Sequence, residues 1–106
     1  MVKFLRISSI YPEFIKIVGK KINQNNSYEK ILSDVFDAKY SVSNYISKEL
    51  SKKGYVCNEI IHNFKILQKK WLHQYGDIKI NDKVIYQQIK YYNPDILYVG
   101  DINLLN

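Results

Sequence analysis

Apolar residues along the chain fall into short β-rich runs and longer stretches with helical spacing. Three runs rich in apolar and β-branched residues predict buried strands: 2–7, 55–61 and 95–101. Five stretches with apolar residues three and four positions apart predict helices: 12–22, 28–36, 42–50, 64–75 and 84–92. Each pair of successive strands is therefore separated by at least two predicted helices.

Connections of this length determine how the strands pair. Strands joined through helices cannot form hairpins, so right-handed crossovers and parallel pairing are expected. The predicted fold class is α/β, a three-layer, Rossmann-like parallel sheet with strand order 2-1-3, flanked by helices. Sheets of this kind normally continue beyond three strands. We therefore predict an incomplete sheet, and a single domain over residues 1–106 that is the N-terminal fragment of a larger protein.

Residues typical of helix ends support these boundaries. Asn26 or Ser27 is expected to cap the second helix, and Asn63 the fourth. Gly54 follows the third helix, where a glycine commonly closes the last turn. Asn93 is followed by a proline, which disfavours helical geometry and ends the fifth helix.

Composition narrows the class of protein. The 106 residues are 46% hydrophobic, which favours a globular domain. The single cysteine excludes an internal disulfide, and the N-terminus lacks a secretory signal, so a cytoplasmic location is expected. The net charge is +6, yet Arg6 is the only arginine, and proteins that read nucleic acid rely on arginine, so nucleic acid is not the expected partner. A basic surface also suits phosphorylated sugars or an anionic membrane, so peripheral binding at the inner membrane face stays open.

The carboxyl ends of the strands are where ligands bind in such folds. Ser8 and Ser9 in the first turn are candidates to donate hydroxyls to a sugar or phosphate, and Tyr11 is the aromatic residue placed to stack on a ligand. Asp101 stands at the tip of the third strand, and Asp37 lies in a loop that can face the same cleft. The structural alternative for these serines and acids is that they satisfy turns and cap helices.

Motifs for cofactors and catalysis are not found. The first turn contains no glycine, so neither a G-x-G-x-x-G nucleotide motif nor a phosphate-binding lysine loop is present. His62 and His73 lack partners at metal-ligand spacing. The sequence therefore predicts no bound cofactor, no metal and no complete set of catalytic groups.

Several segments together suggest a family. They are FLRISSIYP at 4–12, SYE at 27–29, KGYV and EII between 53 and 61, LQKKW at 67–71, and QIK with NPDILY between 88 and 98. In this order they resemble the N-terminal domain of bacterial two-domain glycosyltransferases of the GT-B type. The likeness spans nearly the whole chain, although a proline and aspartate before a hydrophobic strand occur in many Rossmann-like domains.

The resemblance implies an acceptor-side domain that faces a donor-binding C-terminal domain across a cleft. It implies sugar transfer from a nucleotide-sugar donor to a glycan, phosphosugar or lipid-linked acceptor, with Ser8 to Tyr11 and Asp101 facing the cleft. Because donor-binding residues belong to the C-terminal domain, the isolated chain is expected to be inactive. Two alternatives stay open: a stand-alone flavodoxin-like binding or regulatory module, and a small assembly protein that self-associates through the exposed sheet edge.

Overall fold

The computed structural model describes residues 1–39, 42–80 and 83–100. Within these ranges the chain forms three strands: β1 (Lys3–Ser8), β2 (Val56–Ile61) and β3 (Ile96–Val99). The helices are α1 (Pro12–Gly19), α2 (Tyr28–Asp37), α3 (Tyr45–Lys52), α4 (Lys65–Tyr75) and α5 (Val84–Tyr92). The strands and helices follow one another in the predicted order, and their observed ends differ from the predicted ends by a few residues.

The strands form one parallel sheet in the order β2-β1-β3, which confirms the predicted fold class. In the β1–β2 pair Arg6 lies beside Glu59, and in the β1–β3 pair Leu5 lies beside Leu97. Among the described residues the sheet is open, because β2 and β3 each have a neighbouring strand on one side only.

The two faces of the sheet carry different side chains, as the alternation along a strand requires. Leu5 and Ile7 lie on one face, where they pack with Ile60 of β2 and Ile85 of α5 in a buried cluster. Arg6 lies on the opposite face, where its guanidinium reaches the carbonyl of Ser43 just before α3. The side chain of Ser47 in α3 also contacts β2 on this side.

A larger buried cluster holds the helices against one another. Residues of α2 and α4 pack together there, including Ile31, Val35 and Leu67. Trp71 of α4 is fully buried in this cluster, and its indole N–H donates to the hydroxyl of Tyr92 in α5 (3.0 Å). Burial of a ring of this size supplies a large share of the stabilisation of a small core.

The helix ends confirm part of the capping prediction. Ser27 caps α2, since its hydroxyl accepts from the Lys30 N–H (3.2 Å). Gly54 follows α3 with φ +93°, a left-handed conformation that glycine adopts without steric cost. Asn63 does not cap α4. Its side chain instead forms two hydrogen bonds with the backbone of Ile10, which tie the β1–α1 turn to the β2–α4 turn.

The third helix begins later than the hydrophobic spacing predicts. Val42 is buried in the larger cluster ahead of the helix, while Tyr45, its first residue, is 67% exposed.

Among the described helices, none has the length and apolar character needed to cross a membrane.

Candidate functional site

A groove runs along the outer edge of β2, the edge that does not pair with β1. Its walls are α2 on one side and α3 on the other, and tyrosines from the ends of α4 and α5 also line it. This space, here called the edge cavity, has a volume of about 640 Å³, which lies within the usual range for ligand pockets.

A second space of about 440 Å³, here called the loop cavity, adjoins the first. The two share the lining residues Phe36, Asn44, Tyr45 and Lys48. The loop cavity also includes Asp37. Because α3 precedes β2 and runs back along it, the start of α3 and this cavity lie towards the carboxyl end of β2.

A buried ion pair lies beside the groove. The Nε of Arg6 donates to both carboxylate oxygens of Glu59 (2.9 and 2.7 Å), and the hydroxyl of Ser47 donates to the same carboxylate (2.7 Å). Glu59 lines the edge cavity but is only 7% exposed. Burial raises the pKa of Glu59, and the hydrogen bonds from Arg6 and Ser47 offset only part of this rise. The carboxylate is therefore held in one orientation, with its proton affinity increased.

Tyrosines line the end of the edge cavity near the start of α2. The rings of Tyr75 and Tyr91 lie with their centroids 5.2 Å apart, and Trp71 packs edge-on against Tyr91 at 5.6 Å. The Tyr75 hydroxyl donates to Glu29, which raises the pKa of Tyr75 to about 12 and lowers the pKa of Glu29. This end therefore offers aromatic faces beside an ionised carboxylate.

The wall formed by α3 carries positive charge. Lys52 pairs with Glu49 (3.1 Å), whereas Lys48 makes no ion pair within the described ranges. Lys48 reaches both cavities, so it can contribute an unneutralised ammonium to a ligand in either.

The predicted site residues do not converge on one point. Ser8 is buried, and its hydroxyl donates a long hydrogen bond to the Ile60 carbonyl (3.4 Å). This serine therefore links β1 to β2. Ser9 is half-buried, and Tyr11 is exposed at the start of α1 with its ring 6.3 Å from that of Phe14. Neither serine nor Tyr11 lines either cavity. Asp37 lines the loop cavity, and Asp101 lies outside the described residues.

Sequence reasoning missed the residues that shape the groove. Arg6 and Glu59 each place a charge next to fully buried apolar residues of the same strand, and this local conflict is the signal that could have paired them. Tyr45 falls at helical spacing within the predicted helix 42–50, and nothing in that spacing indicates that its side chain is exposed.

Metal binding has no support in this region. In the described ranges, no group of three or more His, Cys, Asp or Glu side chains is placed to hold a metal ion. The arrangement instead offers hydrogen-bonding groups, two lysines and aromatic rings around an open groove.

The chain matches no family model, no curated protein and no solved structure at a significant level.

Proposed function

We propose that this chain is the acceptor-side domain of a two-domain glycosyltransferase, which transfers a sugar from a nucleotide-sugar donor to a glycan or lipid-linked acceptor. In this proposal the chain binds part of the acceptor and is inactive alone, since the donor is held by a separate C-terminal domain. A cytoplasmic location, with contact to the inner membrane face for a lipid-linked acceptor, belongs to the same proposal.

The composition of the loop cavity carries the proposal. A saccharide presents hydroxyl groups around its rim and apolar C–H groups on its ring faces. The cavity offers the Asp37 carboxylate and the Asn44 amide for hydroxyls, and the Lys48 ammonium for a hydroxyl or a phosphate, next to the exposed ring of Tyr45. Its place towards the carboxyl end of β2 agrees with the ligand side of Rossmann-like sheets.

The open edge of β3 supports a further partner. Ile96, Leu97 and Tyr98 are 42%, 41% and 46% exposed, although strands in sheets of this class are usually covered on both faces. An exposed, uncharged strand edge favours pairing with another polypeptide segment. We propose that the rest of the parent protein supplies this cover.

Saccharide binding is tested by nuclear magnetic resonance on the ¹⁵N-labelled chain. Common monosaccharides, disaccharides and sugar 1-phosphates are titrated to millimolar concentration, and shifts are expected at the amides of Asp37, Asn44 and Tyr45. Asp37→Asn and Tyr45→Ala should each weaken binding about tenfold, the effect of losing roughly 1.4 kcal/mol. Glu13→Gln on α1, which lines neither cavity, is the matched control.

Two results would overturn the proposal. Shifts confined to residues away from the loop cavity, or no shifts with any sugar, would remove the acceptor role. Turnover of a nucleotide sugar by the purified chain would contradict the proposal that a separate C-terminal domain binds the donor.

The exposed β3 strand also favours a second candidate, a small assembly protein that pairs through this edge. The oligomeric state, measured by light scattering at micromolar concentrations, distinguishes the assembly protein from the acceptor-side domain. A dimer that Leu97→Lys converts to a monomer would favour assembly, because a lysine on an edge strand opposes pairing with another strand. A monomer throughout would count against it.

A further inference from the structure

The outer edge of β2 presents unpaired backbone groups inside the edge cavity. The Val56 N–H donates to the Val2 carbonyl and the His62 N–H donates to the Ser8 carbonyl, both at 3.0 Å. Alternate residues of a parallel strand bond to the same neighbour, so the even-numbered residues of β2 bond to β1. Cys57 and Glu59 therefore direct their N–H and C=O groups away from β1, and both residues line the cavity.

One of these groups is occupied. The Tyr28 hydroxyl donates to the Glu59 carbonyl (3.2 Å), and burial raises the pKa of Tyr28, which keeps this hydroxyl protonated as a donor. At the end of β2 the outward carbonyl of Ile61 is also occupied, because it accepts from the Phe64 N–H (3.4 Å). The N–H and C=O of Cys57 and the N–H of Glu59 remain directed into the cavity.

We propose that the edge cavity binds an extended polypeptide segment from another protein, which adds to β2 as an antiparallel strand between β2 and α2. Cys57 exchanges two hydrogen bonds with one residue of this segment, and the Glu59 N–H donates to a carbonyl two residues away. The Tyr28 hydroxyl blocks the next position, so the paired segment is short, about four residues. This proposal does not depend on saccharide binding in the loop cavity.

The lining of the cavity defines the chemistry of the segment. Leu32 on the α2 wall and Tyr91 among the lining tyrosines suit an aliphatic or aromatic side chain. Lys48 on the α3 wall makes no ion pair in the described ranges, whereas Lys52 is paired with Glu49, and the whole chain carries a charge of +6. Lys48 and the net charge favour an acidic residue beside the apolar one, on the α3 side and away from the ionised Glu29, and association that weakens as salt increases.

The test uses a positional-scanning library of acetylated, amidated hexapeptides, added to the ¹⁵N-labelled chain. Mixtures with an apolar residue fixed near an acidic one are expected to bind, and to slow hydrogen exchange at the Cys57 and Glu59 amides at least tenfold. The Asn58 amide should change little, because it already bonds to β1. Absence of binding by every mixture, or binding that leaves both amides unprotected, would overturn the proposal.

Two variants separate strand addition from binding elsewhere. Ser33 is exposed on α2 and lines the cavity, so Ser33→Trp should fill it and weaken peptide binding at least tenfold. Lys30→Trp, on the same helix but outside the cavity, is the matched control and should bind as the natural chain does.

Cys57→Pro removes the outward N–H and leaves the β1 ladder intact, a change that edge strands accept. It should also weaken binding at least tenfold. If this variant does not fold, the comparison of Ser33→Trp with Lys30→Trp decides the question alone. Unchanged peptide binding in Ser33→Trp would refute the proposal, whatever Asp37→Asn does to saccharides.

Discussion

Replacing Glu59 by leucine removes the acceptor that neutralises Arg6 beneath the groove. Arg6 then keeps its charge while 12% exposed, with the Ser43 carbonyl as its remaining described acceptor. Ser47 also loses the partner of its hydroxyl. Breaking a buried pair by removing one member costs about 3–5 kcal/mol. Arg6 lies at the rim of the buried region, so we expect Glu59→Leu to lower the free energy of unfolding by about 3 kcal/mol.

The double variant Arg6→Met/Glu59→Leu tests the cause of that loss. Both charges leave together, so the free energy of unfolding should return to within about 1 kcal/mol of the natural chain. Urea unfolding followed by circular dichroism measures all four proteins, and the cycle isolates the coupling between the two residues. If the two single losses simply add in the double variant, the ion pair carries no coupling and the reasoning is wrong.

Arg6→Met alone adds a pH dependence of defined sign. Burial already raises the pKa of Glu59 above its ordinary value of 4.5, and loss of Arg6 raises it further. The folded state then holds this proton more tightly than the unfolded state does. The stability that this proton affinity provides is complete below the ordinary pKa and is lost as the pH rises through the raised pKa. The variant should therefore be closest to the natural chain at about pH 4, and a deficit that is constant up to about pH 8 would refute this.

Two further predictions concern polar contacts between elements. Gln68 and Gln88 exchange hydrogen bonds of 2.9 and 2.8 Å between α4 and α5, so Gln68→Leu should cost about 1–3 kcal/mol by stranding the fully buried Gln88 amide. Gln68→Leu/Gln88→Leu should recover most of this in thermal unfolding, and an equal or larger loss would contradict the argument. Asn63→Ala removes both hydrogen bonds to Ile10 and should cost about 1–2 kcal/mol while the Ile10 amide exchanges faster. Unchanged exchange at Ile10 would show that the turn does not need Asn63.

The elements and their order follow from information that is local in the sequence. The apolar spacing in 28–36 selects one face of a helix, and the helices between β1 and β2 are too long for a hairpin. The order β2-β1-β3 was therefore predictable, because few topologies satisfy parallel pairing with long crossovers. Ser27 and Gly54 act on their own neighbours, and both predictions are confirmed.

The groove depends on contacts between residues that are distant in the chain. Arg6 and Glu59 are separated by 53 positions, and only the register of β1 against β2 brings them together. The same register sets which backbone groups of Cys57 and Glu59 face the cavity. Asn63, a suitable cap by its position, bonds to Ile10 because the two turns meet at the same end of the sheet. Sequence alone thus determined the elements and their order, whereas the cavities and the buried ion pair arose from tertiary packing, which local spacing does not encode.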